Sequence, residues 1–162
     1  FTSAHNQGFN ILVKFDADDQ HKIDDLANII KKLNQKNVYF CKGYRNLNLK
    51  YSLNRGMPLI RTLGANVLTY LSKITTKNPD LKDVTNGLFG IKSNILKKIN
   101  LKNLRQDYFF EQDMIFRVCQ NKIKIFQINS EVVYGNENSS LNALGSIIPF
   151  LIYHIQNFFY KN

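Results

Sequence analysis

ILVKFDADDQHKIDDLANIIKKLNQKNVYFCKGYR, residues 11–45, is the stretch on which the fold turns. It opens with an apolar run (ILVKF, residues 11–15) that stops abruptly at Asp16, Asp18 and Asp19. Such a run reads as a buried strand delivering carboxylates to its C-terminal end. Ile23, Leu26, Ala27, Ile30 and Leu33 then recur at helical spacing, with Asp24 and Asp25 in the first turn and Lys31 and Lys32 near the last. That pattern predicts a helix whose charges complement its own dipole. Residues 38–41 (VYFC) predict a second strand, which runs into Gly43, Tyr44 and Arg45. A strand-helix-strand unit is normally a right-handed parallel crossover, and sites in such sheets gather at the C-terminal ends of strands. Asp16, Asp18 and Arg45 are expected to emerge there together.

Downstream, residues 46–58 are polar and free of strand signals, a candidate substrate-gripping loop. Ile60, Leu63, Val67, Leu71 and Ile74 form a helical apolar stripe. Residues 75–80 and 83–87 (DVTNG) read as turns, 88–91 as a short strand, 93–98 as a short helix and 110–119 as a longer one. Residues 123–128 and 131–134 read as strands near a sheet edge, followed by a GNENSS loop and an apolar C-terminal helix. No repeat or linker divides the chain. Residues 1–145 are expected to form one α/β unit and residues 146–162 an appended apolar helix.

The whole sequence has 162 residues, the size of one ordinary domain. With 44% hydrophobic and 21% charged residues it can bury a core and is not a disordered tail. The net charge of +10 and a pI near 9.6 favour an anionic partner: nucleic acid, phosphorylated substrate or acidic membrane. Cys41 and Cys119 stand far apart, so neither a zinc site nor a disulfide framework is readable, and a reducing compartment fits best. The opening FTSAHNQGF lacks the regions of a signal peptide, and the absence of Met at position 1 suggests a chain cut at its N-terminus. The apolar run 147–160 contains Pro149, His154, Gln156 and Asn157 and falls short of the ~20 residues a spanning helix needs. It suits lying on a membrane, with Ile148, Phe150, Ile152 and Phe159 toward lipid, or packing in the core.

Asp16 and Asp18, separated by Ala17, can converge on one divalent cation that shares its remaining positions with phosphate oxygens. The alternative is that these acids cap the following helix, which suits Asp19, Asp24 and Asp25. A phosphatase of the haloacid dehalogenase type would carry Thr or Val where Gln20 stands. Arg45, Arg55 and Arg61 suit bidentate phosphate binding or plain surface charge. Asp83, by its place in DVTNG, suits closing an Asx turn. Glu111 and Asp113 open a predicted helix, where the dipole keeps carboxylates ionised. Phe109, Phe110 and Phe116 read as core.

FDADDQH (15–21), GYR (43–45), DVTNGLFGIK (83–92), FFEQD (109–113) and YGNENSSL (134–141) together resemble successive signatures of family 2 glycosyltransferases, especially the polyprenyl (dolichyl) phosphate sugar transferases. The resemblance implies a GT-A fold, a mixed, mainly parallel sheet flanked by helices. It implies Mg²⁺ or Mn²⁺ and the donor diphosphate on Asp16 and Asp18 with help from Gln20, and a basic residue for the acceptor at Arg45, with Arg61 beside it. It places Asp83 on the acceptor side, Asp113 as the base that takes the acceptor proton and Glu111 as its positioner; a lipid phosphate acceptor would need no base. Ala65 stands near where some polyprenyl-phosphate relatives carry Ser. The implied activity is inverting transfer of a sugar from a nucleotide-sugar donor to a polyprenyl phosphate or glycan acceptor, by an enzyme peripheral on the cytoplasmic face of a membrane. Relatives begin with a strand-helix-strand segment for the nucleobase, which this sequence is expected to lack. Two other classes stay open: a non-catalytic transferase-like scaffold, and a basic nucleic-acid-binding module using the lysines of residues 97–105. The latter lacks any recognised nucleic-acid motif, so no nucleic-acid partner is expected.

Overall fold

The computed structural model describes residues 1–16, 21–101, 104–107, 109–132, 134 and 143–159, with the backbone alone for Thr2 and residues 143–148. In chain order the elements are α1 (Thr2–Asn6), β1 (Ile11–Lys14), α2 (Ile23–Leu33), β2 (Phe40–Tyr44), α3 (Leu49–Asn54), α4 (Leu59–Thr76), β3 (Phe89–Lys92), a 3₁₀ turn (Ser93–Ile95) leading into α5 (Leu96–Ile99), α6 (Phe110–Gln120), β4 (Ile125–Asn129) and α7 (Ala143–Phe159). The fold is mixed α/β, a four-stranded sheet in the order β1-β3-β2-β4 with helices on both faces.

β3 pairs antiparallel with both β1 and β2, and β4 pairs parallel with β2. β1, β2 and β4 therefore point one way and β3 opposes them. The first two strands run parallel to each other as the sequence predicts, but β3 is inserted between them, so they do not exchange hydrogen bonds. Nothing in residues 11–45 could announce a strand that arrives much later in the chain.

Strand alternation sorts the side chains into two cores. Leu12, Phe40, Phe89, Ile91 and Ile125 face α5 and α6, where Phe40 and Phe89 stack at 5.4 Å between centroids. Cys41, with Ile11 and Val13 beside it, faces α2, which contributes Ile29 and Leu33. Gly90 is what lets α2 come so close: a Cβ there would lie 2.6 Å from both Ile29 and Leu33. The helix expected at residues 23–33 is present, but its inward stripe is Asp25, Ile29 and Leu33, while Ile23 is 73% exposed. An i, i+4, i+8 row meets the sheet squarely, and Ile23 lies off it.

Two further expectations are corrected. Residues 46–58 are not wholly loop, since Leu49–Asn54 form α3, capped by the Asn48 side chain accepting from Tyr51 N at 3.2 Å. The apolar stripe of α4 does not face inward. Thr62, Ala65, Thr69, Ser72, Thr75 and Thr76 are its buried residues, and Ile60, Leu63, Val67 and Ile74 point outward. α4 packs on α6, α7 packs on α4, and Phe109, Phe150 and Tyr153 close the seam. Among the described residues no helix is long and apolar enough to cross a membrane.

Candidate functional site

At the C-terminal end of β1, alternation puts Lys14 and Asp16 on the α6 side of the sheet, level with the first turn of α6. The Lys14 ammonium lies between two carboxylates, 2.6 Å from Asp16 Oδ1 and 3.0 Å from Glu111 Oε1. Burial pulls its pKa down, but Asp16 and Glu111 outweigh that and raise it above the ordinary lysine value, so Lys14 is a cation at neutral pH. Gly87 supplies the floor. A Cβ there would fall 2.3 Å from Asp16 Oδ2 and 3.0 Å from Lys14 Nζ, so any other residue would make the Asp16 carboxylate shift from this position.

A cavity of about 140 Å³ opens beside it, lined by Asp16, His21, Arg45, Arg61, Thr85, Asn86, Gly87, Glu111 and Val132. A single water needs ~10–15 Å³, so the space admits a group of phosphate or sugar size. Asn86 is 2% exposed; its Oδ1 accepts from Leu88 N at 2.9 Å, while its Nδ2 has no partner among the described residues. An orphaned buried donor in a cavity wall is a place for a ligand oxygen. His21 forms an isolated bridge with Val132, and its Nδ1 lies 3.5 Å from Ser130 Oγ, which in turn donates to Asp25 Oδ2 at 2.9 Å.

The other wall is an ion pair. Asp83 is fully buried; its Oδ2 accepts from Arg45 Nε at 2.7 Å and Arg45 N at 3.1 Å, and its Oδ1 from Arg45 Nη2 at 3.2 Å and Thr85 N at 3.0 Å. Asp83 thus closes an Asx turn and pairs with Arg45 at once. Burial would raise its carboxyl, but Arg45 and then Lys42 hold it well below the usual carboxylate range. Arg45 also donates to Thr85 Oγ1 at 2.6 Å and to Tyr134 Oη at 3.0 Å, so its guanidinium is largely committed within the protein. Arg61 sits over the Tyr134 ring, 5.3 Å from its centroid, and faces the cavity. Arg55 lies outside on the surface, 3.4 Å from Glu131.

The E-x-D element is divided by helix geometry, because residues two apart on a helix do not share a face. Glu111 lines the cavity. Asp113 is 4% exposed and turns away from it, accepting from Arg117 Nε at 3.0 Å, Arg105 N at 3.1 Å and Tyr153 Oη at 3.2 Å. Asp18 and Gln20 lie outside the described residues, as does most of YGNENSSL.

Sequence reasoning missed Lys42, Lys14 and Tyr134. Lys42 is 1% exposed in the central strand and donates to the backbone carbonyls of Gly43 and Asp83. Burial pushes its pKa down to about 8. A lysine two residues after Phe40 in a strand must share the buried face of Phe40, which was the available signal. Tyr134 packs against Leu47, Met57 and Ala65 while its hydroxyl serves Arg45, a role no local pattern announces.

In fold, the chain is of the GT-A glycosyltransferase type, and it fits family 2 of those enzymes. Among solved structures it is similar to glucosyl-3-phosphoglycerate synthase from Mycobacterium tuberculosis in complex with phosphoglyceric acid, with a TM-score of 0.62 and 13% identity over 90% of this chain and 49% of that one. The same enzyme in complex with Mn²⁺, UDP-glucose and glycerol 3-phosphate matches with a TM-score of 0.56 and 15% identity, again over 90% and 49%. In sequence the chain is 26% identical over 151 residues to a UDP-N-acetylglucosamine–dolichyl-phosphate N-acetylglucosaminyltransferase of Methanococcus voltae, covering 93% of this chain and 59% of that protein. The chain thus spans about half the length of the proteins it matches. No family model matches it.

Proposed function

We propose that this chain belongs to a metal-dependent, inverting glycosyltransferase that moves a sugar from a nucleotide-sugar donor to a polyprenyl phosphate at a membrane surface. The observation that carries this reading is the polarity of the cavity: carboxylates of Asp16 and Glu111 at one end, Arg61 and the Arg45–Asp83 pair at the other. A nucleotide sugar and a phosphate acceptor need those two ends, one for a cation-bound diphosphate and one for an anion.

The residues fit a hard divalent cation. Asp16 offers a carboxylate that is not deeply buried, Glu111 lies within reach of the same ammonium, and Gly87 leaves the space above them open. Mn²⁺ or Mg²⁺ would be held by Asp16 with Asp18 and Gln20, and would supply positive charge to the diphosphate leaving group. Asn86 Nδ2 then donates to a donor or sugar oxygen. Arg61 takes the acceptor phosphate, its guanidinium plane fixed by Tyr134. Arg45 and Asp83 hold the 83–87 turn rather than meeting the acceptor directly, and Asp113 anchors the first turn of α6 so that Glu111 faces the cavity.

A glycan hydroxyl is the second acceptor class, and Glu111 favours it, because a carboxylate facing the cavity can take the proton a hydroxyl must lose. The experiment is sugar transfer from a panel of nucleotide sugars with Mg²⁺ or Mn²⁺, offered polyprenyl phosphate or a glycan, with Asp18→Ala as control. Metal-dependent transfer to the lipid phosphate, lost in Asp18→Ala and retained at reduced rate in Glu111→Gln, is the expected result. Transfer only to a glycan, abolished by Glu111→Gln, would replace the acceptor, and no transfer from any donor would sink the reading.

A further inference from the structure

α4 is built inside out. Its buried side is Thr62, Thr69, Ser72, Thr75 and Thr76 around Ala65, and its outer side is Ile60, Leu63, Val67, Tyr70 and Ile74, each between 43% and 65% exposed. The inner hydroxyls are satisfied locally: Thr62 Oγ1 donates to Pro58 O at 3.2 Å, Thr75 Oγ1 to Leu71 O at 3.1 Å and Thr76 Oγ1 to Ser72 O at 2.6 Å. A helix of a soluble domain normally has the reverse arrangement, and an exposed apolar stripe of this length marks a contact surface. α7, packed beside it, exposes Ile152, Ile155 and Phe158.

The charge around the stripe selects its occupant. From residue 46 to residue 79 the sequence contains no Asp or Glu, while Lys50, Arg55, Arg61, Lys73 and Lys77 are all basic; residues 143–159 contain no Asp, Glu, Lys or Arg. Apolar side chains carried on a segment whose own charges are all basic match a bilayer with anionic headgroups, since long basic side chains reach the headgroups while the stripe enters the acyl boundary. A second copy of the chain is a poor match, because self-pairing of this face would set like charges against each other.

We infer that the outer face of α4, with the exposed residues of α7, docks the protein on an anionic lipid bilayer. The inference extends the membrane component of the proposed function, and its link to catalysis rests on that reading: Arg61 lies in the first turn of the same helix and lines the cavity, so docking brings the headgroup plane to the group proposed to hold a lipid phosphate.

Vesicle flotation tests it with no sugar transfer involved, so its outcome is separate from that of the transfer assay. Vesicles of phosphatidylcholine with and without phosphatidylglycerol serve as probes, beside analytical ultracentrifugation of the protein alone. The protein is expected on the anionic vesicles, released by salt, with partition reduced on the order of a hundredfold in Val67→Glu with Tyr70→Glu. Ile23→Glu, on the exposed side of α2, is expected to bind as the unaltered protein does. Both altered α4 sites are exposed, and an unchanged far-ultraviolet spectrum shows that folding is not the cause. Equal partition of the two variants, absence of binding, or a dimer that the α4 variant dissolves would each overturn the inference, the last assigning the face to a second copy.

Discussion

Replacing Asp83 with Asn keeps the shape of the side chain and removes its charge, at the point where the cavity wall is tied to the sheet. The carboxylate accepts five hydrogen bonds from Arg45 and Thr85 at 2.7–3.2 Å, and neither Asp83 nor Arg45 is more than 8% exposed. Removing one partner of a buried pair leaves the other charge uncompensated and costs about 3–5 kcal/mol. Domains of this kind are stable by ~5–15 kcal/mol, so the variant keeps only part of its margin. With a urea dependence of ~2 kcal/mol per molar, the unfolding midpoint is expected to fall by about 2 M. Arg45→Met with Asp83→Asn removes both charges, and the double variant should lose less than the sum of the two singles by roughly 2 kcal/mol. The pH dependence has a definite sign. Asp83 is held below its unfolded value of ~3.9, so its contribution is full above that pH and is lost as pH falls toward its lower folded value. Below about pH 4 the unaltered protein should therefore lose stability more steeply than Asp83→Asn. A midpoint shift under about 0.5 M, or strict additivity in the double variant, would refute the claim that this pair holds the 83–87 turn.

Lys14→Met is expected to tighten Mn²⁺ binding, read from the electron paramagnetic resonance signal of free Mn²⁺, by about tenfold, since it removes an ammonium that competes for Asp16 and Glu111; unchanged affinity would mean that Lys14 and the cation do not share ligands. Gly87→Ala puts a Cβ where the Asp16 carboxylate lies, so that the partly exposed carboxylate must swing aside, and should weaken Mn²⁺ binding at least about tenfold with little loss of stability. His154, buried against Thr75 Oγ1 at 3.3 Å, has its pKa pushed down to about 4 by burial. The unfolded chain therefore binds the extra proton between pH 4 and 6.5, and stability should decline by up to about 3 kcal/mol as pH falls through that window. His154→Leu should flatten that decline in a series of urea titrations.

The strand, acidic end, helix and second strand of residues 11–45 were legible because alternation and helical periodicity are local. Three features were not, each for a physical reason. Periodicity tells which residues of α4 share a face but not which face turns inward, since that depends on what α6 and α7 offer; Thr69, for example, faces inward and accepts from Val84 N at 3.3 Å. The antiparallel β3 enters between β1 and β2 from far along the chain, and no pattern within residues 11–45 encodes a later insertion. The FFEQD stretch was legible as a helix, yet a two-residue step on that helix separates Glu111, which lines the cavity, from Asp113, which turns away from it, and no local pattern tells which of the two faces the cavity. Lys42 was legible in principle, as a charge at an inward position of a strand whose other inward residues are ordinary core.

The cavity can be followed as a balance of charge. At the β1 end, Asp16 and Glu111 carry two negative charges against the single positive charge of Lys14. At the other end Arg45 and Asp83 cancel, leaving Arg61 as the uncompensated cation among the described lining residues. The site is thus biased toward a cation at one end and an anion at the other. A divalent ion held by Asp16 would compete with Lys14 for that carboxylate, and the Lys14 ammonium would then be available to a phosphate oxygen. Lys14 in this account keeps the two carboxylates from repelling each other before the donor binds, and joins the positive side of the site afterwards. Because the displaced charge remains in the cavity, donor and cation should bind more favourably together than either does alone.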